Sequence, residues 1–440
     1  MQLSQKVALN TIIQIVTKVI TVIFGFLTMV ILTRYLGVGG YGNYMYVLTL
    51  VVLFGGFADW GTATIGVREA AKDGQKQNLI LSNVFLIRVV LSLIAALLMI
   101  LAAFYLPLKT NQEILIRQGI VFGSFILVLY AIKASFGIIF QTKLQMQKLA
   151  VSDITASFLI FLISWLFIHF HLGLIYLLIA VILANVIAVI LAAILAIKTI
   201  EFKFQMNLSF IKSFFKECLP MGALLLLFTI YNKVDTVILG IIKGNEAVGI
   251  YAVGYRLYDV LVLGAAYFMN SLLPVLSQYS NIQKWRDKIR IIYQKSFDVL
   301  LMMGGLVLIL TLILAPLAIR LITQQRFGEF FDAVLVVRLL SLAIFISYFN
   351  HLTGFTIVAL GRQKWYFLIA AMALILNVIA NFMVIPKFSY YGAAVVTIFT
   401  EGFVLMVTSF SIFRLIGFFP TLKDFPKTFK ELIINRGKVF

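Results

Sequence analysis

Six basic side chains lie inside long apolar runs of this 440-residue sequence. They are Lys18, Lys133, Lys233, Arg256, Arg88 and Arg338. A charge at membrane depth is costly, so such residues usually face water or pair with an opposite charge. Lysine and arginine donate charge-assisted hydrogen bonds to phosphate oxygens. The set therefore predicts a cationic binding site for an anionic ligand.

Lys18 belongs to a polar stripe whose members recur at steps of three and four residues. The stripe consists of Thr11, Gln14, Lys18, Thr21, Gly25 and Thr28. This spacing places all six on one helix face and predicts a wet cavity beside that face. An interhelical seam, with Lys18 paired to a carboxylate, is the alternative. Lys233 repeats the spacing with Thr229, Thr236 and Gly240.

The other basic residues have competing interpretations. Lys133 lies deep in its apolar run and is the stronger cavity candidate, whereas Arg88 could belong to an interhelical network. Arg338 could snorkel outward from its helix. Arg256 and Asp259 are three residues apart, so an intrahelical pair is as reasonable as a ligand-binding arginine.

Five further polar residues lie in apolar runs and are candidates for ion coupling or for lining the cavity. They are Glu401, Asp59, Asp235, Asn377 and Asn381. A protonation site or a hydrogen-bonded structural carboxylate explains Glu401, and the structural interpretation is favoured for Asp59. The two asparagines, four residues apart, line either an interhelical contact or the cavity.

Motif searches argue against an enzyme, a cofactor and a metal centre. The chain has one cysteine, Cys218, and three histidines, too few for a Cys-rich or His-rich zinc site. It contains no HExxH or GxSxG string. Gly37, Gly39 and Gly42 match GxGxxG but follow an apolar helix and no strand, so we reject a dinucleotide site. The basic run KWRDKIR is interpreted as a solvated loop near anionic headgroups, and no nucleic-acid partner is expected.

The elements that carry these residues are predicted to be transmembrane helices. The chain is 62% hydrophobic and 12% charged, with a mean hydropathy of +1.06, which is typical of a polytopic membrane protein. A membrane crossing needs about 20 apolar residues. Twelve such spans are predicted, near 7–33, 44–66, 79–106, 117–140, 151–170, 173–197, 217–242, 247–275, 296–319, 331–359, 366–386 and 391–413.

The loop charges orient these spans. With the N-terminus inside, 23 basic residues fall in cytoplasmic segments and seven in outer segments. The positive-inside rule then predicts a multi-pass protein of the cell membrane with both termini in the cytoplasm. The net charge of +19 is explained by topology.

Short internal matches predict two halves of six helices. Leu36-Gly37 followed by YGNY resembles Leu239-Gly240 followed by VGIY, at an offset of about 205 residues. Because each half has an even number of spans, a symmetry axis would run along the membrane normal and enclose a central cavity. The predicted organisation is an N-terminal lobe (1–200), a cytoplasmic linker (201–216), a C-terminal lobe (217–414) and a cytoplasmic tail (415–440).

Several motifs together resemble the polysaccharide transporters, or lipid-linked oligosaccharide flippases, of the multidrug/oligosaccharidyl-lipid/polysaccharide exporter superfamily. They are TRYLGVGGYGNY, DWGTATIGVREAAK, VGIYAVGYRLYD, LGRQKWY and LNVIANFMVIPKFSYYGAAVVTIFTE. The resemblance implies two six-helix lobes, alternating access and an O-antigen-type substrate, a polyprenyl-diphosphate-linked oligosaccharide.

The resemblance leaves the function partly open. A flippase for surface-polysaccharide synthesis is the leading expectation, and an ion-coupled multidrug or cation exporter of the same superfamily is the alternative. A cation exporter should hold buried acids where this chain has deep lysines. Coupling to protons or sodium ions and contacts with polysaccharide-assembly proteins stay open, and membrane lipids are expected partners.

Overall fold

The long apolar runs of the chain form α-helices throughout the part that the structure describes. This computed structural model describes residues 3–72, 77–105, 112–200, 205–279, 282–426 and 430. The helices are α1 (Leu3–Asp59), α2 (Thr62–Lys72), α3 (Gln77–Tyr105), α4 (Glu113–Thr142), α5 (Met146–His169), α6 (Leu174–Ile197), α7 (Leu208–Lys243), α8 (Asn245–Leu261), α9 (Leu263–Gln278), α10 (Ile282–Thr323), α11 (Ala333–Ala359) and α12 (Gln363–Ile416). Residues 201–204 of the predicted linker and most of the predicted tail after 426 lie outside the described residues.

Two of these helices are long enough to cross a membrane twice. The described segments contain ten apolar helical stretches of membrane-spanning length. In α1, Gly37 has a left-handed φ of 68° that glycine adopts readily, and in α12 Ser389 has a φ of 52°. Dividing these two stretches at the kinks gives twelve spans. The predicted all-α, polytopic membrane fold is confirmed.

The chain divides into two compact units, Met1–Gly249 and Ile250–Phe440. In the first unit, α7 packs against α1, and a Cβ added to Gly222 would lie 2.7 Å from the Trp60 carbonyl oxygen. The lobes and the linker at 201–216 were predicted from the internal repeat, and they remain a prediction.

Two glycines of the repeated motifs meet inside the first unit. A Cβ on Gly42 would lie 1.7 Å from the carbonyl oxygen of Asn245 and 2.9 Å from the backbone nitrogen of Gly249. A Cβ on Gly249 would lie 2.1 Å from the carbonyl oxygen of Val38. Beside them, the Asn245 amide donates a 2.8 Å hydrogen bond to Asn43. Only residues without a side chain allow the backbones this close.

Candidate anion-binding site and buried polar networks

Helices α1 and α5 pack side by side in parallel. Near their beginnings, Asn10 donates to the carbonyl oxygen of Leu144 at 2.8 Å and accepts from the backbone nitrogen of Met146 at 2.8 Å. Fourteen residues farther along α1, the Phe24 ring lies 5.5 Å from the ring of Phe158. Partners therefore differ by 134 to 136 in residue number along this part of the contact.

The offset between contacting residues shows which residues of α5 lie beside Lys18. At the far end of the same contact, the Tyr35 hydroxyl donates to the carbonyl oxygen of Leu172 at 3.2 Å, an offset of 137. With offsets of 134 to 137, Lys18 lies at the level of residues 152 to 155 of α5. Asp153 belongs to that level.

Lys18 is exposed, as are Thr11 and Gln14 of the same polar stripe. Farther along the stripe, Thr21 and Gly25 are half-buried and Thr28 is buried. The part of the chain that the structure describes offers the Lys18 ammonium no carboxylate at ion-pair distance. Lys18 is therefore the last exposed member of the stripe before the stripe becomes buried.

A second exposed stripe on α1 is apolar and lies on a different face. It consists of Ile12, Val16, Val19 and Ile23, which are 50–58% exposed. In a membrane helix, an exposed apolar face suits lipid, whereas an exposed lysine suits a water-filled space. Separate apolar and polar faces on one helix favour the cavity interpretation of Lys18.

Lys133 is paired, and its partner was not predicted. Its ammonium lies 3.0 Å from Asp153 Oδ1, and the side chains are 16% and 31% exposed. The ammonium also lies 5.7 Å from the centre of the Tyr130 ring. Asp153 is a lone carboxylate within the predicted span 151–170, and this position could have indicated it as a partner for a buried cation. With this pair neutral, Lys18 supplies the net positive charge at the level of residues 152 to 155 in the described contact between α1 and α5.

Arg88 lies in the interhelical network that was the alternative to a binding role. It is 2% exposed, and its guanidinium is paired with Asp59. It also donates to Thr62 Oγ1 at 2.9 Å and to Ser135 Oγ at 3.0 Å. This network joins α1, α2, α3 and α4. Arg88 and Asp59 therefore have a structural explanation that needs no ligand.

Lys233 and Asp235 occupy different surroundings although they are neighbours on α7. Lys233 is half-buried. Asp235 is 3% exposed and accepts from the backbone nitrogen of Thr236 at 2.7 Å. Both residues have further interaction partners. Their roles in binding and coupling remain predictions.

The two predicted arginines of the second unit differ in exposure. Arg256 is half-buried, and Asp259 has a further interaction partner, so the intrahelical pair and the ligand-binding role of Arg256 both remain predictions. Arg338 is exposed, and its Nε donates to the carbonyl oxygen of Leu312 at 3.2 Å. A guanidinium that is exposed and satisfies a helix carbonyl fits the snorkelling interpretation of Arg338.

Glu401 is the centre of a buried polar network in the second unit. It is 8% exposed, and the Asn350 amide donates to its carboxylate at 2.7 Å and to its carbonyl oxygen at 2.9 Å. Next to Glu401 on α12, Thr400 accepts from Asn377 at 3.4 Å, and Asn381 donates to Asn377 at 2.9 Å. Asn350 was not predicted because its role depends on the packing of α11 against α12. The network holds a carboxylate within membrane depth.

Comparison with known proteins decides the family. The family model described as "Polysaccharide biosynthesis protein" matches residues 7–280, more than half of the chain. The chain belongs to this family. A second model, MatE, matches residues 220–383. The predicted resemblance to polysaccharide transporters of the exporter superfamily is confirmed.

Two proteins of similar sequence carry related names. It is 25% identical over 218 residues to the "Capsular polysaccharide biosynthesis protein CapF" of Staphylococcus aureus, which covers 49% of this chain and 53% of CapF. It is 29% identical over 181 residues to the "Probable flippase AglR" of Haloferax volcanii, which covers 40% of this chain and 37% of AglR. The matches thus span about half the length of these relatives or less.

Solved structures share the fold of this polysaccharide biosynthesis family member. The inward closed conformation of the lipid II flippase MurJ matches with a TM-score of 0.75 and 16% identity, covering 97% of this chain and 91% of MurJ. An inward-facing multidrug resistance MATE family transporter matches with a TM-score of 0.71 and 13% identity, covering 90% and 95%. The fold is therefore that of the MurJ and MATE transporters.

Proposed function

We propose that this protein is a flippase that moves a polyprenyl-diphosphate-linked oligosaccharide from the cytoplasmic to the outer leaflet of the cell membrane. Membership of the polysaccharide biosynthesis family and the names of the relatives support a flippase in polysaccharide synthesis. The observation that carries it is Lys18, whose exposed ammonium lies within a membrane span, in the exposed part of a polar stripe.

In the proposed mechanism, Lys18 donates charge-assisted hydrogen bonds to the diphosphate. The hydroxyl and amide groups of Thr11 and Gln14 extend a polar surface for the headgroup. The polyprenyl tail stays in the bilayer while two lobes, with both termini in the cytoplasm, alternate access to each side. The Lys133–Asp153 pair at the same level keeps that carboxylate from opposing the anion.

Glu401 is our candidate for ion coupling. Taking a carboxylate out of water is costly, so protonation or a bound cation would stabilise Glu401 in its buried position. Glu401→Gln should reduce the dependence of transport on an imposed ion gradient and leave binding of the substrate in place. An unchanged gradient dependence would remove Glu401 from the mechanism.

The alternative function, export of cationic drugs, is favoured by the same buried Glu401 and by the MATE-like fold. The sign of the charge at position 18 separates the two functions. A phosphate-binding role requires a cation there, whereas a cation exporter would tolerate or prefer an acid.

A charge series at Lys18 tests the proposal in vesicles reconstituted with purified protein. Lys18→Ala should abolish or strongly reduce translocation of the lipid-linked oligosaccharide, and Lys18→Arg should retain part of it. Lys198→Ala removes an exposed lysine at the end of α6 and is the matched control. Normal transport by Lys18→Glu would refute the proposed role.

A further inference from the structure

A long apolar cleft lies in the second unit, between the end of α11 and the two halves of α12. Its volume is about 700 Å³, within the range of ligand-binding clefts. Leu368, Met372 and Ile375 line one wall, and Val407 and Phe410 line the other. The walls could therefore hold a hydrocarbon chain.

One end of the cleft is basic. Arg362, at the N-terminal cap of α12, and Arg414, in its last turn, both line the cleft and are exposed. The Arg414 guanidinium lies 4.5 Å from the centre of the Phe410 ring, which holds it beside the apolar wall. No carboxylate of the described residues forms an ion pair with either arginine. The two charges are available to an anion.

The cleft opens toward the membrane. Along its rim, Trp365 is 61% exposed, Leu368 51% and Ile375 60%. Exposed apolar residues on a transmembrane helix face lipid tails, and tryptophan is enriched at the level of the headgroups. The rim thus runs from the headgroup level at the basic end into the hydrocarbon.

We propose that this cleft binds an anionic glycerophospholipid of the surrounding leaflet. Its phosphate would lie on Arg362 and Arg414, and an acyl chain would extend along the apolar walls. Basic pockets between transmembrane helices on the cytoplasmic side bind anionic headgroups in this way, and the charge asymmetry of the loops predicts that side for both arginines.

The chemistry of the cleft favours a phospholipid over the lipid-linked sugar. Ser411 and the two arginines are its hydrogen-bonding side chains apart from the Trp365 indole. An oligosaccharide needs partners for many hydroxyl groups, and the apolar walls offer none. A phosphate attached directly to acyl chains needs only the basic end. The site is thus separate from the one proposed around Lys18.

Native mass spectrometry of the purified full chain tests this site. Phosphatidylglycerol should bind more tightly than phosphatidylcholine, and Arg362→Gln with Arg414→Gln should weaken phosphatidylglycerol binding at least about tenfold. Ala371→Phe fills the cleft without changing charge and should weaken it too. The matched control, Lys198→Gln with Lys212→Gln, removes two exposed cations outside the cleft and should leave binding unchanged.

Three outcomes would overturn the proposal. Equal binding of the two phospholipids would show that the arginines do not select a charge. Displacement of phosphatidylglycerol by millimolar inorganic phosphate would show that the arginines hold a free anion without the acyl chain. Stronger competition by a polyprenyl diphosphate would assign the cleft to the substrate tail. Melting temperatures of all variants, measured alongside, identify any loss caused by misfolding.

Discussion

At the scale of the residue, two of the predicted cations prove to have carboxylate partners on other helices. Arg88 pairs with Asp59, and Lys133 pairs with Asp153. Sequence spacing identified the charges as deep, but their partners lie 20 or more positions away, so spacing could not pair them. The Lys18 stripe lies on one helix and could be predicted from the 3.6-residue period alone.

The Arg88 network predicts an asymmetric stability effect. Asp59→Asn leaves the buried Arg88 side chain without its counter-charge, and should cost roughly 3–5 kcal/mol of unfolding free energy. Arg88→Met leaves the more exposed carboxylate and should cost less. Denaturant unfolding in detergent measures both. If Arg88→Met abolished substrate binding at unchanged stability, the structural role would be wrong.

The Lys133–Asp153 pair predicts a rescue. Lys133→Ala leaves Asp153 uncompensated at the level of Lys18, so transport should fall strongly because the carboxylate repels the diphosphate. Adding Asp153→Ala should restore much of the lost rate. A double-mutant cycle compares the initial transport rates in vesicles of the wild type, both single variants and the double variant. A double variant as inactive as Lys133→Ala would mean that Lys133 itself contacts the substrate.

At the scale of the element, the apolar runs predicted the helices well, and the breaks between them less well. Residues 34–43 separate the first two predicted spans, yet α1 continues through them, with a non-helical φ/ψ pair at Gly37. Residues 387–390, between the last two predicted spans, likewise belong to α12, with the kink at Ser389. Glycine and proline signal a turn, but tertiary packing decides whether one residue or several leave the helix.

The close contact of Gly42 and Gly249 predicts that an added methyl group will destabilise the first unit. In Gly42→Ala or Gly249→Ala, the new Cβ meets backbone atoms that cannot rotate away, so the unfolding free energy should fall by about 3 kcal/mol. Gly55→Ala is the matched control, because nothing lies within 4 Å of its added Cβ. Thermal unfolding compares the three. Equal stability of all three variants would contradict this packing.

At the scale of the whole molecule, composition and the apolar period were enough to predict an all-α membrane fold with twelve spans. Contacts between side chains of different helices, such as Lys133 with Asp153, depend on packing that no local sequence pattern records. The unequal distribution of basic residues between the loops also predicts the orientation of the spans, with both termini in the cytoplasm.

The topology can be tested with single cysteines in a chain whose buried Cys218 is replaced by alanine. Gly328→Cys, exposed in the segment between α10 and α11, should react with an impermeant thiol reagent added outside intact cells. Ser209→Cys, exposed at the start of α7, should react only after permeabilisation. The reverse pattern would invert the orientation.

Translocation by the purified wild-type protein in sealed vesicles tests the proposed flippase activity itself. The cargo is a fluorescent polyprenyl-diphosphate-linked oligosaccharide, whose sugar becomes accessible to an impermeant glycosidase when it crosses the bilayer. A cationic dye is measured in parallel. We predict protein-dependent movement of the anionic glycolipid and none of the dye. Movement of the dye without the glycolipid would contradict it.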